Sequence, residues 1–215
     1  MSYFDLYLTR INAETNQSLN DIADRFEQMK NDTIGIFRQP IKINDIKDAT
    51  AIIEQITNSD DKRIYTSVYD EIKLGFYITY QNKKWIIINY PELVCNAYWR
   101  AKMRMCNDVL TLQTGVTRVQ IGTDSLGRPV YQETKQYTSW DCIVSQKSLN
   151  ISNTNDSIIL PEGRISIIIP YIDNPAISEN VEFDMFGDTY KIIGIDKTNV
   201  IDSNGIFILL CQRVI

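Results

Sequence analysis

The chain has 215 residues, 44% hydrophobic and 23% charged, with a net charge of −5 and a sequence pI near 4.9. That is enough apolar chain to bury about 70% of its unfolded surface in one large or two small domains, while the acidic balance argues against a protein that works by gripping phosphates. Histidine is absent, which excludes Ser-His and Cys-His pairs and the usual histidine metal sites.

The first residues, Met1-Ser-Tyr-Phe-Asp5, carry an acid and no basic stretch, and the apolar runs at 165–169 and 206–211 are too short to cross a bilayer. Neither a secretory signal nor a membrane anchor is expected, and folding is expected in the cytosol. Residues 18–30 place Leu19, Ile22, Ala23, Phe26 and Met29 on one stripe behind a capping Ser18, which predicts an amphipathic helix. Phe37 to Pro40 should be extended, because the residue before proline avoids the α region. From Asp45 to Thr57 the spacing of Ile46, Ala49, Ile52, Ile53 and Ile56 is helical although the residues are mostly β-branched, and a short helix is expected.

From Ile64 onward the pattern is strand, turn, strand. Strands are expected over Ile72–Tyr80, Lys84–Tyr90 and Arg100–Gln113, then over Val116–Ile121 and Val130–Tyr137 about the turn residues 122–129, and again at Trp140–Val144. The polar run 150–157 separates these from Gly163–Pro170, a hairpin of Glu179–Met185 with Asp188–Ile195 about Gly187, and Gly205–Val214. The expected fold is mainly β within an α+β class. Antiparallel hairpins form two small sandwich-like or barrel-like units, 61–150 and 151–215, behind an N-terminal helical and extended segment, 1–60.

A β pattern recurs. Trp85 set on Tyr190 places Ile87-Ile88 on Ile192-Ile193, Met103 and Met105 on Ile208 and Leu210, and Cys106 on Cys211 without a gap. A divergent duplication accounts for this. Three antiparallel strands with one apolar face must cover that face.

Candidates for chemistry are few. Asp60-Asp61 and Asp70-Glu71 are adjacent acids in polar connections, where solvated carboxylates are ordinary. Asp202-Ser-Asn204-Gly205 resembles half a calcium loop but lacks the closing glutamate, and Gly122 to Gly127 lacks the lysine of a phosphate loop; both read as turns. Cys95, Cys106, Cys142 and Cys211 have no metal-ligand spacing and read as small packed hydrophobes. Tyr65, Tyr69, Tyr77, Tyr80, Tyr90, Tyr98 and Trp99 suit either a stacking platform or protein contacts. No catalytic, cofactor or metal residue is assigned.

The stretch "KLGFYITYQNKKWIIINYPE", with Trp85-Ile-Ile-Ile88, is followed by "YWRAKMRMCNDVLTLQ", with Ala101 to Cys106-Asn107 and Leu110, and then by "DSLGRPVYQ". Together these resemble the neck proteins of tailed bacteriophages, the head-closure and head-tail connector group. "PEGRISIIIPYIDNPAISENVEFDMFGDTYKIIGID" is similar to that group's second β portion, so the likeness runs from about Asp70 to the C-terminus. It implies a non-enzymatic virion protein of the neck that assembles as a ring of its own copies, meets the portal and other neck or tail proteins, and closes the DNA exit. Genomic DNA would be transient cargo, and no membrane or cofactor is implied. A tail or baseplate adaptor and a β-barrel module for single-stranded nucleic acid are the alternatives.

Overall fold

The computed structural model describes residues 38–57, 59–146 and 160–214. It divides into two units, the first ending at Met105 and the second beginning at Cys106. The first contains β1 (Arg38–Ile43), β2 (Lys47–Gln55), β3 (Lys62–Ser67), β4 (Tyr77–Tyr80), β5 (Lys83–Ile87), β6 (Glu92–Val94) and β7 (Tyr98–Met105). The second contains β8 (Asp108–Thr123), β9 (Pro129–Ser145), β10 (Arg164–Pro170), β11 (Glu182–Met185), β12 (Asp188–Asp196), β13 (Val200–Ile201) and β14 (Asn204–Arg213).

No helix occurs among the described residues, so the expected α+β class is corrected to all-β and no N-terminal helical segment is supported. The helix expected over Asp45–Thr57 is a hairpin turn followed by β2. Its apolar residues answer to two strand partners, with Ala49 opposite Ile41 on β1 and Ile53 opposite Ile64 on β3. Pairing on both edges outweighs the helical spacing, and the β-branched residues fit the pleat. The stripe from Ser18 to Lys30 lies outside the described residues.

The first unit is a closed barrel. Strand order β3-β2-β1-β4-β5-β7 is completed by antiparallel pairing of β3 with β7, and β6 adds to β7 beyond the end of β5. Within the strands the β1–β4 seam pairs only Lys42 with Thr79 and Ile43 with Ile78, and the Asn44 N–H extends it by donating to the Tyr77 carbonyl at 2.8 Å. Two turn residues reinforce it: Asn44 accepts from the Tyr77 N–H at 2.9 Å, and Asp45 accepts from the Thr79 hydroxyl at 2.7 Å and pairs with Lys84 at 2.9 Å. Those Thr79 and Lys84 contacts hold the Asp45 carboxyl below the usual range.

Side chains fill the barrel. Ile64, Ile78, Ile87, Ala101 and Met103 point inward with Tyr80 and Trp85, whose rings lie 6.4 Å apart. The Lys62 ammonium sits 5.4 Å and 5.3 Å from the Tyr80 and Trp85 centroids, respectively. The Trp85 indole N–H is buried without a hydrogen-bond partner, a penalty of about 1–3 kcal/mol. Burying roughly 200 Å² of ring contributes about 5 kcal/mol, so the position remains favourable.

The second unit is a curled sheet of order β11-β12-β14-β10-β9-β8 with β13 on β14, and β11 comes against β8. Its core gathers Leu110, Ile167, Ile192, Phe207 and Leu209, with Phe183 stacked on Tyr190 at 6.2 Å and Tyr171 edge-on to Phe207 at 5.2 Å. Gly205 is required by a close approach: its φ is +146°, and a Cβ there would lie 2.0 Å from the Asn199 carbonyl oxygen.

The unit division differs from the expected boundaries at 60/61 and 150/151. β9 and β10 lie on either side of 150/151 as neighbours in one sheet, with Val144 opposite Ile167. The strand expected over Arg100–Gln113 is interrupted at Cys106-Asn107, where β7 of one unit ends before β8 of the next begins.

The recurring pattern has a counterpart in topology. β4-β5-β6-β7 and β11-β12-β13-β14 are both a hairpin, a short strand, and a return strand that pairs with the short strand and with the second hairpin strand. Side-chain correspondence does not extend into the return strand. Trp85 faces Met105, whereas Tyr190 faces Arg213 and not Leu210, and a bulge at Ile192/Gly194 shifts the second register.

Replacing Ile64, fully buried at the β2–β3–β7 junction, with Ala should cost about 2–5 kcal/mol in urea unfolding. Ile46, 88% exposed at the β1–β2 turn, should lose no more than about 0.5 kcal/mol on the same change. Equal losses would contradict the barrel.

Candidate interaction surface

The β8–β9 hairpin starts as part of the second unit's sheet and then leaves it. Leu110 and Leu112 are buried with Cys142 in the core, and Asn107 secures the base by exchanging two side-chain hydrogen bonds with the Val144 backbone at 2.9 Å and 2.7 Å. β10 pairs with β9 only over Ile143–Ser145. Beyond that point β9 has no strand partner but β8 among the described residues, while β8 also comes against β11. From Val119 to Thr123 and from Pro129 to Ser139 every residue is exposed, forming an arm about 30 Å long at strand rise.

A two-stranded ribbon is marginal in water, and cross-strand pairs supply local support. Arg118 donates to Glu133 at 2.7 Å, Gln136 donates to the Thr117 hydroxyl at 2.7 Å, and Thr114 meets Thr138 at 2.9 Å. At the tip Asp124 accepts from the Leu126 and Arg128 N–H groups at 2.9 Å and 2.8 Å and from the Arg128 guanidinium at 2.9 Å. The Arg128 N–H is the leading cause of a depressed Asp124 pKa. The tip is thus an ordered turn.

The arm exposes apolar and aromatic side chains on a scale that solvent alone does not explain. Ile121 is 61% exposed, Leu126 74% and Tyr137 59%, with Val116, Val119 and Tyr131 about half exposed. Its charges are largely spent internally, as Arg118 pairs with Glu133 and Arg128 with Asp124. Surfaces of this kind suit protein contacts. Phe186 is a further exposed aromatic, held at φ +56° in the β11–β12 turn and 67% exposed.

The candidates named from sequence do not converge. Asp61 is buried and receives a bidentate Arg104 at 2.6 Å and 3.1 Å, linking β3 to β7. Asp70 pairs with Lys47 at 2.7 Å and Glu71 with Lys73 at 3.7 Å. Asp202 and Ser203 form the β13–β14 turn. Among the aromatics, Tyr80 is inside the barrel, Tyr65 and Tyr98 meet edge-on at 5.8 Å, the Trp99 indole donates to the Val68 carbonyl at 3.3 Å, and Tyr69 and Tyr90 are exposed. Tyr77 lies under the Lys84 ammonium at 5.4 Å. They do not make one stacking platform. Cys142 and Cys211 are buried, Cys106 is intermediate and Cys95 exposed. Burial pushes both buried thiols up, that of Cys211 to about 12. Among the described residues no group of three metal-ligating side chains converges.

Residues 7–105 match the YomX N-terminal domain and residues 110–212 the YomX C-terminal domain. The chain is similar to the SPbeta prophage-derived uncharacterized protein YomX of Bacillus subtilis (strain 168), at 22% identity over 183 residues covering 83% of this chain and 84% of that protein. No solved structure matches. YomX-type domains in tandem and a prophage relative suggest a phage-derived protein. The domain matches meet near 105–110, where the structure also divides.

Asp124 is stabilised as the anion, so its contribution to the arm tip is present above the ordinary aspartate range and lost as pH falls through its depressed value. Amide exchange at Leu126 and Arg128 should therefore lose protection below that range; protection unchanged through acid would contradict the turn. A thiol reagent at mildly alkaline pH should modify Cys95 at once, and Cys142 and Cys211 only on unfolding.

Proposed function

We propose that the chain is a structural protein of the phage neck, joining portal and tail and helping to close the DNA exit, and that it works by contact and without catalysis. The observation that carries this reading is the β8–β9 arm, a stretch of the second unit with exposed apolar and aromatic side chains and no packed layer behind it. Ordering such an arm is useful where a neighbour covers it, because burying each of Ile121, Leu126 and Tyr137 returns roughly 1.5–3 kcal/mol. Support also comes from the prophage relative and from the Trp85-to-Asn107 likeness to neck proteins. The partners are copies of the chain in a ring, the portal, and adjoining neck or tail proteins.

The acidic balance suits a conduit, since a net charge of −5 does not trap a passing genome. The side-chain ion pairs of the arm, Arg118–Glu133 and Arg128–Asp124, likewise favour a protein neighbour over a nucleic-acid backbone. A nucleic-acid module would instead gather its tyrosines and cations on one face.

The test is reconstitution. Purified chain mixed with the portal complex of its own phage should give a particle with added mass at the portal exit in negative stain. Replacing Thr114–Gln136 with Asn-Gly, which joins the paired Gln113 and Tyr137 by a two-residue turn, should leave the chain folded and abolish that mass. Assembly unaffected by loss of the arm, or no association with any portal or tail component, would overturn the proposal.

A further inference from the structure

The two strands of the arm have different outer edges. Both irregularities of the hairpin fall on β8, where Thr114 and Ile121 are extra residues between Gln113/Gly115 and Gln120/Gly122; β9 runs unbroken opposite them. Bulges twist and interrupt an edge, so β8 is poorly suited to accept another strand. β9 presents a regular edge from Val130 to Ser139, exposed throughout and beyond the reach of β10.

The sequence along that edge reads Tyr131-Gln132-Glu133-Thr134-Lys135-Gln136-Tyr137. It is palindromic about Thr134 except that glutamate answers lysine. Laid antiparallel on itself with Thr134 opposite Thr134, it puts Tyr131 against Tyr137, Gln132 against Gln136 and Glu133 against Lys135, and the same three pairs recur on the other side of the axis. These are matches that stabilise adjacent antiparallel strands: aromatic pairs, neutral polar pairs and opposite charges. Within its own copy Lys135 lies opposite Val116, while Glu133 lies opposite Arg118. In the paired sheet each Glu133 would sit between two cations.

We propose that free copies of this chain pair through the outer edge of β9, antiparallel about a two-fold axis at Thr134, to form a four-stranded sheet. The pairing extends from Val130 with Thr138 to Thr138 with Val130, about 30 Å of edge, and turns two marginal ribbons into a sheet wide enough to hold together. A lysine in an edge strand ordinarily guards against indiscriminate pairing. With Glu133 two residues away it blocks most registers and admits this one. The inference does not rest on the neck reading. An isologous two-fold contact cannot run around a polar ring, whose contacts are heterologous, so this pairing belongs to the free protein and must open wherever a ring forms.

Sedimentation equilibrium on the full chain, from low micromolar to near-millimolar concentration, should show a reversible monomer–dimer equilibrium. K135E places glutamate against glutamate twice per dimer and should weaken the dimer about tenfold or more, with circular dichroism unchanged. R118E/E133K/K135E exchanges the charges while keeping opposite charges at 118 and 133, and should recover most of the loss. In a Cys95→Ser background, T134C should form a disulfide between copies on mild oxidation, because directly opposed residues of antiparallel strands have Cα separations within disulfide range. V119C on the β8 edge should not. A chain monomeric throughout, a dimer indifferent to K135E that leaves T134C unlinked, or cross-linking at V119C in place of T134C would each overturn the proposal.

Discussion

Strand edges are the constraint on which this molecule turns. A β-strand must satisfy its backbone groups on both sides, and the two units meet that demand differently. The first closes its sheet through β3 and β7, so that its barrel strands find partners around the ring. The second curls β11 toward β8 and lets its β8–β9 hairpin run past the sheet, where the outer edges have no partner among the described residues. Closed edges make a rigid body. Open ones make a surface that completes itself on something else.

Tight turns make both outcomes possible. Pairs of consecutive residues at positive φ, such as Gln81-Asn82, Phe186-Gly187 and Asp202-Ser203, join adjacent strands with the twist a hairpin needs. Asn44 and Asp45 do more than turn the chain, since their side chains reach β4 and lock the narrowest seam of the barrel. The Asp61–Arg104 pair plays a comparable part between the start of β3 and β7. Charge in this protein is used mainly to fasten strands, and the arm follows the same rule with Arg118 and Glu133. What the arm leaves for a neighbour is apolar surface, aromatic rings and a strand edge.

Much of the architecture could be read from residues whose local chemistry agrees with the fold. Asn82 and Gly187 mark turns because few other residues tolerate their backbone there, and strands such as Arg164–Pro170 and Asn204–Arg213 are long runs of β-branched or bulky apolar residues buried in one core. β2 was illegible because Ile46, Ala49, Ile53 and Ile56 satisfy a helical stripe equally well, and only partners distant in sequence decide between the two. The unit division at Met105/Cys106 was hidden for a similar reason: β7 and β8 are nearly continuous in sequence, while the conspicuous polar run at 150–157 connects two neighbours in one sheet. The arm could be seen as a hairpin about Gly122–Pro129 but not as a projection. Its signal was the missing alternation between Thr114 and Ser139, where neither face is consistently apolar and no second layer could pack. Chemical sites were not recoverable from adjacent acids, since Asp61 and Asp70 are each committed to a structural ion pair.

The proposed neck role is best judged inside the assembly. Cryo-electron microscopy of the intact particle should find the chain between portal and tail with residues 116–137 packed against an adjoining subunit. A particle in which the chain is absent, or is present with the arm standing free in solvent, would contradict this account.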